Sequence, residues 1–304
     1  MKDNFHYPFR AMGSPCEIIL RGHDETFCRE LCTGFESEVR RLEKAYSRFL
    51  PDSITSTINQ AAGSGSPVNI DEETLRLLDY ADTCYAQSNG LFDITCGSLR
   101  SIWNYHDLAE KQCLPEQSDI DKVLDLVGWE KVERTGNAVA LPLAGMEIDF
   151  GGIVKEYAAD CIAALAEAAG VSSGMIELGG DIRLFGVAGE PAPWSLGIRN
   201  PHHTDKPLAL LSLGRGGLAT SGDYERYTVI NGQRFSHILN PKTGWPVSGF
   251  SSVSVVAQQC IVAGSAASIA VLMGKAGEGW LAELGLPYLC VNEHGDISGT
   301  LSAR

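Results

Sequence analysis

The sequence has few basic residues for its length. Its 304 residues include 24 Lys and Arg against 38 Asp and Glu, which leaves a net charge of −14. A general nucleic-acid binder needs a basic surface, and so does a protein that is held on an anionic membrane. The charge therefore argues against both classes of partner. It still allows a small anionic ligand, because backbone N–H groups and a single lysine can bind a phosphate locally.

Long apolar runs are missing as well. No stretch reaches the roughly 20 apolar residues that a membrane-spanning helix needs. The opening MKDNFHYPFRAMGSPCEII has no apolar core behind a basic end, as a leader would have. We therefore expect no membrane span and a cytoplasmic location, while an exported form with a removed leader stays open.

Several common site motifs are also absent. The nine cysteines form no C-x-x-C pair and have no histidines at metal-binding spacing, which favours reduced thiols over zinc or disulfides. We find no G-x-G-x-x-G after a strand, no phosphate loop ending in Gly-Lys-Ser/Thr, no H-E-x-x-H and no G-x-S-x-G. The chemistry must therefore come from less common motifs.

The hydrophobic pattern predicts alternating helices and strands. Apolar residues three or four apart predict helices, and short apolar runs bounded by turn residues predict strands. Because many neighbouring strands have turn-length connections, we expect an α+β fold with mostly antiparallel sheets flanked by helices, not a doubly wound parallel sheet. The predicted helices are 24–49, 71–90, 155–170 and 260–274, with a short helix near 279–284 and a possible short helix after Ser118. The predicted strands include 16–20, 138–142, 146–150, 174–186, 194–201, 251–257 and 288–292, with a strand followed by a glycine-rich loop at 208–224.

The segment DFGGIVKEY (149–157) places Asp149, two glycines and Lys155 at a strand-to-helix passage. The glycines allow close backbone approach, and the new helix offers unpaired N–H groups. Lys155 in the first turn is unfavourable against the helix dipole unless an anion lies nearby. A bound phosphate would resolve this conflict. The alternative is a solvated surface lysine, which is the commoner case for any lone lysine.

The stretch SHILNPKTGWP (236–246) places His237 between an apolar strand and a turn. A histidine with an ordinary pKa of about 6.5 can act as a base near neutral pH, although a lone histidine is more often structural. Two other motifs are equally open. Asp93 in FDITCGSLRSIWNY could bond a heterocycle or cap a turn, and ATSGDYER (219–226) could be an N-cap or a loop.

The order of these motifs along the chain is more specific than any one of them. Together they resemble the ApbE family, the FAD:protein FMN transferases, and the resemblance covers most of the chain. The blocks HILNPKTG and SGDY are its most specific parts. The matching blocks, from 12 to 274, are MGSP, SRFLPDSITSTIN, GLFDITCGSL, IDFGGIVKEYAAD, ELGGDIRLFG, ATSGDYERY, HILNPKTGWP and VAGSAASIAVLMG.

The resemblance implies a fold and an activity. It implies one two-lobed α+β domain over residues 1–304, with FAD in the cleft between the lobes. It implies a Mg²⁺-dependent transferase that splits FAD, attaches FMN through a phosphoester to a threonine of a partner flavoprotein, and releases AMP. FAD would then be a substrate, and the acceptor flavoprotein would be the partner.

The resemblance also assigns roles to residues. His237 would take the proton from the acceptor threonine. The Gly152 carbonyl would bind the metal, with Ser268 as a further oxygen donor. The residues expected to contact FAD or the flavin are Met12, Phe49, Leu91, Phe92, Asp93, Asp149, Lys155 and Ile238.

Four positions depart from the family pattern. Phe49 stands where tyrosine is frequent, and Ser268 stands where threonine is usual. Gly264 replaces the aspartate that would bind Mg²⁺, and no acidic residue lies between 262 and 275 to substitute for it. Because Mg²⁺ prefers anionic oxygen, we expect a weakened metal site and a gain in Mg²⁺ affinity from Gly264→Asp. Glu156 replaces a glycine, and its side chain could crowd the pyrophosphate, point outward or help the metal.

These departures leave two other functions open. A relative that binds FAD without catalysis is suggested by Gly264. A pyrophosphatase that splits FAD to FMN and AMP, with water in place of threonine, is the third alternative.

Overall fold

The computed structural model describes residues 4–186, 192–202, 206–222 and 227–301. The helices in these ranges are α1 Glu25–Tyr46, α2 Ile54–Gln60, α3 Glu72–Gln87, α4 Tyr105–Lys111, α5 Gln117–Leu124, α6 Val154–Ala168, α7 Cys260–Met273 and α8 Lys275–Leu284, with 3₁₀ turns at Gly97–Ser101 and Trp129–Lys131. The strands are β1 Phe5–Ala11, β2 Ser14–Arg21, β3 Val68–Asn69, β4 Glu133–Thr135, β5 Ala138–Ala140, β6 Ser173–Leu178, β7 Asp181–Gly186, β8 Trp194–Arg199, β9 Pro207–Leu213, β10 Gly216–Gly222, β11 Tyr227–Ile230, β12 Gln233–Ser236, β13 Phe250–Ala257, β14 Tyr288–Asn292 and β15 Ile297–Gly299. None of these helices is long and apolar enough to cross a bilayer.

An eight-stranded sheet forms the centre of the molecule. Its strand order is β1-β2-β6-β7-β10-β13-β14-β15, and every neighbouring pair is antiparallel. Three small sheets accompany it, with the orders β3-β5-β4, β8-β9 and β11-β12. The prediction of an α+β fold with mostly antiparallel sheets is confirmed.

Helices α1 and α6 cover part of this sheet, and their burial follows from their sequences. The apolar residues of α1 fall three or four apart, so one stripe of the helix is buried; it includes Phe35, Val39, Leu42 and Tyr46. The alanine-rich α6 packs against α1 and against β6 and β7. Its small side chains allow this close approach on several sides.

Helix α7 is held beside α6 by a side chain as well as by packing. The Asp160 carboxylate of α6 accepts hydrogen bonds from the N–H groups of Cys260 (3.0 Å) and Ile261 (2.9 Å) at the start of α7. These donors have no partner within their own helix, so Asp160 acts as a cap from a neighbouring element. Residues at the start of α6 are thereby fixed relative to residues of α7.

Several segments differ from the sequence predictions; β1, α4, β11 and β12 are among those that were not predicted. Residues 146–150 form one isolated bridge, Cys96 to Glu147, because Ile148 bonds through both backbone groups to the Asn59 side chain. Helix α2 was not predicted. The predicted glycine-rich loop after 213 instead contains β10, which lies inside the large sheet. A Cβ on Gly217 would come within 2.5 Å of Cys260 Cα, so this glycine lets α7 pack directly on the strand.

Candidate functional site

The start of α6 follows a tight glycine turn. Asp149 Oδ1 accepts a hydrogen bond from the Gly151 N–H at 2.9 Å, which fixes the turn. A Cβ built on Gly152 would lie 3.3 Å from Phe92 Cζ, so the ring packs against the bare backbone. Asp149 N–H also donates to the Ile94 carbonyl at 2.8 Å. The turn therefore brings together Phe92, Asp149 and Gly152, three of the predicted site residues.

Asp149 is compensated by two arginines. Its Oδ2 lies 2.6 Å from Arg100 Nη2 and 3.5 Å from Arg48 Nε. Burial, followed by repulsion from Arg100, lowers the pKa of Arg48. The Arg48 guanidinium lies 4.4 Å from the centre of the Phe49 ring, and Phe49 is 79% exposed. This group places an exposed aromatic ring beside the glycine turn.

Lys155 forms an ion pair with Asp181, the first residue of β7. The Lys155 Nζ to Asp181 Oδ2 distance is 2.6 Å, and the Asp181 side chain is only 4% exposed. Burial alone lowers the pKa of Lys155, but the attraction of Asp181 and Glu156 outweighs it, so the pKa is raised. The conflict between Lys155 and the helix dipole is thus resolved by a carboxylate of the protein itself.

The turn between β6 and β7 lies against this lysine. Gly179 has a φ of 58°, and a Cβ there would come within 2.8 Å of Ser14 Cβ and 3.6 Å of Lys155 Cδ. Gly179 N–H donates to the Pro15 carbonyl at 3.0 Å. Because Ser14 follows directly after the β1–β2 turn, the turn residue Met12 lies in the same neighbourhood, half-buried against the core.

Ser268 of α7 reaches the same part of the molecule through β10. Its hydroxyl donates to Ser221 Oγ at 3.3 Å. The preceding residue, Thr220, donates its N–H to Asp181 Oδ1 at 3.1 Å. Asp181 therefore connects Lys155 of α6 with the strand that contacts Ser268.

The Glu156 side chain points inward, against Gly264. A Cβ on Gly264 would lie 2.6 Å from Glu156 Cγ and 2.8 Å from its Oε1. Glu156 is 7% exposed, and its Oε2 has no hydrogen-bond partner among the described residues. Burial and the negative charge of Asp181 raise the pKa of Glu156.

This position bears on the expectation that the region beside Gly264 has no carboxylate. Although α7 has no acidic residue near 264, a carboxylate from α6 fills the space beside Gly264. Of the three alternatives for Glu156, an outward orientation is wrong. A side chain added at position 264 would require Glu156 to move, so Gly264→Asp by itself is not a simple repair.

His237 lies at the junction of two apolar clusters. Before it, Phe235 packs 6.1 Å from the Trp103 ring, and the Tyr105 hydroxyl donates to the Ser236 carbonyl at 2.6 Å. After it, Ile238 packs on the cluster that contains Ala266 and Ala267 of α7. His237 itself is exposed. The backbone on both sides is therefore anchored, while the imidazole faces the surface.

Asp93 obtains its hydrogen bonds within the protein. Its carboxylate accepts from Thr95 N–H (2.7 Å), Thr95 Oγ1 (2.6 Å) and Trp129 N–H (3.0 Å). Burial raises its pKa, and these three donors oppose the shift. These hydrogen bonds favour the alternative in which Asp93 caps a turn. Leu91, two residues earlier, is half-buried, and residues 223–226 of the ATSGDYER motif lie outside the described residues.

The available oxygen donors fit Mg²⁺. In the described part of the chain, no three His, Cys, Asp or Glu side chains form a cluster that could hold a metal. The donor set is instead the unpartnered Glu156 Oε2, the Ser268 hydroxyl one turn after Gly264, and the Gly152 carbonyl. Mg²⁺ is commonly bound by one or two carboxylates together with water and substrate phosphates, so a small set of hard oxygens is suitable.

Sequence reasoning assigned no role to three charged residues that organise this site. Asp181 lies in the ELGGDI block, and its position after two glycines at a strand start was a usable signal. Arg48 and Arg100 had none, because the sequence does not show that both approach Asp149.

The fold and the site define an α+β protein with a polar site at the start of α6. The model of the ApbE family matches residues 12–290, and the chain belongs to this family. A FAD:protein FMN transferase of Klebsiella pneumoniae (strain 342) is 31% identical over 268 residues, 84% of this chain and 79% of that protein. A FAD:protein FMN transferase of Treponema pallidum (strain Nichols) is 30% identical over 253 residues, 78% of this chain and 69% of that protein.

A solved structure agrees with this membership. The crystal structure of the ApbE protein of Thermotoga maritima matches with a TM-score of 0.88 and 29% identity, covering 98% of this chain and 97% of that chain. Both curated relatives carry the name of an enzyme, which agrees with the expectation that the chain is one.

Proposed function

We propose that this chain transfers FMN from FAD to a threonine hydroxyl of an acceptor flavoprotein, with Mg²⁺, and releases AMP. The observation that carries the proposal is the meeting of the α6 start, the Gly179-Gly180 turn and β10 around Lys155 and Asp181, with α7 bonded to β10 through Ser268 and Ser221. The names of the curated relatives support the same activity. We further propose that residues 1–304 act as one domain and work in the cytoplasm.

The start of α6 suits a pyrophosphate. The N–H groups of its first turn carry the positive end of the helix dipole, although that of Val154 already donates to the Phe150 carbonyl at 3.0 Å. Lys155 adds a positive charge whose raised pKa keeps it protonated at neutral pH. Phosphoryl transfer depends mainly on positioning and charge neutralisation, which these groups can supply. Bound Mg²⁺, held by Glu156, Ser268 and the Gly152 carbonyl, would further neutralise the phosphate oxygens.

The flavin would lie toward the other end of the glycine turn. Phe49 offers an exposed ring beside Asp149, and Phe92 packs on Gly152. Aromatic faces of this kind stack on planar heterocycles. Met12, Leu91, Asp93 and Ile238 would complete the surroundings, as the family resemblance suggests.

His237 would act on the acceptor. The threonine oxygen forms a bond to the phosphorus of the FMN half, and the bond from that phosphorus to the bridging pyrophosphate oxygen breaks. AMP leaves with the bridging oxygen, and the threonine proton moves to the His237 imidazole. An exposed histidine on an anchored backbone suits this role, because its target belongs to a second protein.

The test is incubation with FAD, Mg²⁺ and an acceptor domain that carries a candidate threonine. We expect an acceptor heavier by the mass of the FMN moiety, and AMP in equal amount. His237→Ala should lower the transfer rate by about two to four powers of ten without weakening FAD binding. His106→Ala, at an exposed histidine of α4, is the matched control and should keep the wild-type rate.

The products separate the other functions. AMP release without acceptor would identify the pyrophosphatase. Tight FAD binding that is insensitive to a chelator, with neither AMP nor modified acceptor, would identify a non-catalytic binder. Either result would overturn the proposed transfer.

A further inference from the structure

Helices α6 and α7 pack so closely at one point that a side chain of α6 lies against bare backbone of α7. Glu156, in the first turn of α6, places its side-chain carbons where a side chain at position 264 of α7 would begin. The gap between the ideal Gly264 Cβ and Glu156 Cγ is 2.6 Å, which two non-bonded carbons do not reach. The absence of a side chain at 264 and the presence of one at 156 are therefore parts of one arrangement.

The Glu156 carboxylate is only partly compensated by the described residues. Its Oε2 receives no hydrogen bond from any described residue. The neighbouring ammonium, that of Lys155, lies 2.6 Å from Asp181. A buried carboxylate oxygen without a donor is costly unless a cation or a proton neutralises the group.

The surroundings offer further oxygen donors to a cation. The Asp181 carboxylate lies at the same end of α6, where its Oδ2 is 2.6 Å from Lys155 Nζ. The Ser268 hydroxyl lies on the same helix as Gly264, one turn later, and therefore on the same face. The Glu156 carboxylate of α6 and the Ser268 hydroxyl of α7 are therefore candidate hard-oxygen ligands on two packed helices.

We propose that Glu156 supplies, from α6, the carboxylate of the Mg²⁺ site, in the space that a side chain at position 264 would otherwise occupy. Glu156 is then a metal ligand and not an obstacle to the pyrophosphate. This inference rests on the proposed function for its substrate, since the phosphates of FAD would complete the coordination.

The test measures metal binding directly, with Mn²⁺ as the probe. FAD is first bound to the full chain in metal-free buffer, and its affinity is measured by quenching of flavin fluorescence. Mn²⁺ is then added, and the free ion is followed by electron paramagnetic resonance. We expect Glu156→Gln to weaken Mn²⁺ binding at least about tenfold while the affinity for FAD in metal-free buffer is kept.

The choice of variant separates a metal ligand from a structural acid. Glutamine has the shape of a protonated glutamate, so a merely structural Glu156 would tolerate it and Mn²⁺ binding would not change. Glu167→Gln makes the same charge change near the end of α6, where Glu167 pairs with Arg215, and should keep the wild-type Mn²⁺ affinity.

A second pair of variants moves the carboxylate to the other helix. Glu156→Gly should lose Mn²⁺ binding, and the double variant Glu156→Gly/Gly264→Asp should recover it, because the space is then free for an aspartate. This pair of variants still tests the metal-ligand role of Glu156 if Glu156→Gln does not fold. Unchanged Mn²⁺ affinity in Glu156→Gln or Glu156→Gly, or no Mn²⁺ uptake by the wild-type FAD complex, would overturn the inference.

The failure of the inference is distinct from failure of the proposed function. A wild-type chain that flavinylates its acceptor while Glu156→Gln binds Mn²⁺ normally would contradict only the metal-ligand role. A chain that binds Mn²⁺ through Glu156 but modifies no acceptor would contradict only the transfer activity.

Discussion

Asp149 and Glu156 lie at the two ends of the same glycine-rich passage, and their environments are opposite. Asp149 accepts a hydrogen bond from the Gly151 N–H and is paired with Arg48 and Arg100. Glu156 is more deeply buried, lacks a donor at Oε2 and faces a second carboxylate. Among the described residues, Asp149 has two cationic partners, whereas Oε2 of Glu156 has no hydrogen-bond donor. Burial of an acidic group alone therefore says little about its role, and the inventory of its partners is more informative.

Removal of the compensated charge should have the largest effect on stability. Asp149→Asn leaves the mostly buried Arg48 without its counter-ion and weakens the glycine turn. We expect the free energy of unfolding to fall by about 2–3 kcal/mol, measured by urea denaturation. Asp52→Asn, at an exposed aspartate, is the control and should change little. A loss at Asp149 no greater than at Asp52 would contradict the comparison.

The second effect tests whether Glu156 and Gly264 share one space. Gly264→Asp alone should lower the free energy of unfolding by about 1–2 kcal/mol, since Glu156 must be displaced. In the background of Glu156→Gly the same substitution should cost less, so the double-mutant cycle should give a non-zero coupling energy. Additive losses would mean that the two positions do not compete.

Unlike Asp149→Asn, the substitution Glu156→Gln should not lower the free energy of unfolding. Glu156→Gln keeps the shape of the side chain and prevents ionisation at a position where burial and Asp181 already oppose it. In metal-free buffer we therefore expect the free energy of unfolding to stay the same or to rise by about 1 kcal/mol. A loss as large as that of Asp149→Asn would show that the folded protein already compensates Glu156.

The smallest effect on stability is expected at the exposed ring beside Asp149. Phe49→Ala should change the free energy of unfolding by less than about 0.5 kcal/mol, because the side chain is 79% exposed. If the ring stacks on the flavin, FAD affinity should fall by about tenfold in fluorescence titrations. Unchanged FAD affinity would place the flavin elsewhere.

The periodic parts of the fold were predictable because their signal is local. The apolar stripe of α1 and the alanine-rich α6 appear in the structure within a few residues of the predicted bounds. Short elements were less predictable. Residues 146–150 have a strand-like pattern, but Asn59 takes the backbone bonds of Ile148, and a contact between such distant residues leaves no local mark.

The sequence predicted which residues lie together in the candidate site, but not the ion pairs that they form. The sequence placed Asp149, Gly152 and Lys155 in one passage, and the structure joins them to Phe92 and Asp181. It did not show that Asp149 would be paired with Arg48 and Arg100, which come from two other segments. Ion pairs across long sequence separations depend on how elements pack, and packing is a property of the whole chain.

By itself, the sequence determined the family, the helices with strong periodicity and the order of the motifs, because each depends on residues close together in the chain. Only the tertiary structure decided what Glu156 faces. Asp160 fixes α7 against α6, and Gly264 then presents bare backbone to the carboxylate. The physical reason is that the volume between α6 and α7 beside Gly264 can hold only one side chain. Which residue fills that volume depends on how the two helices pack.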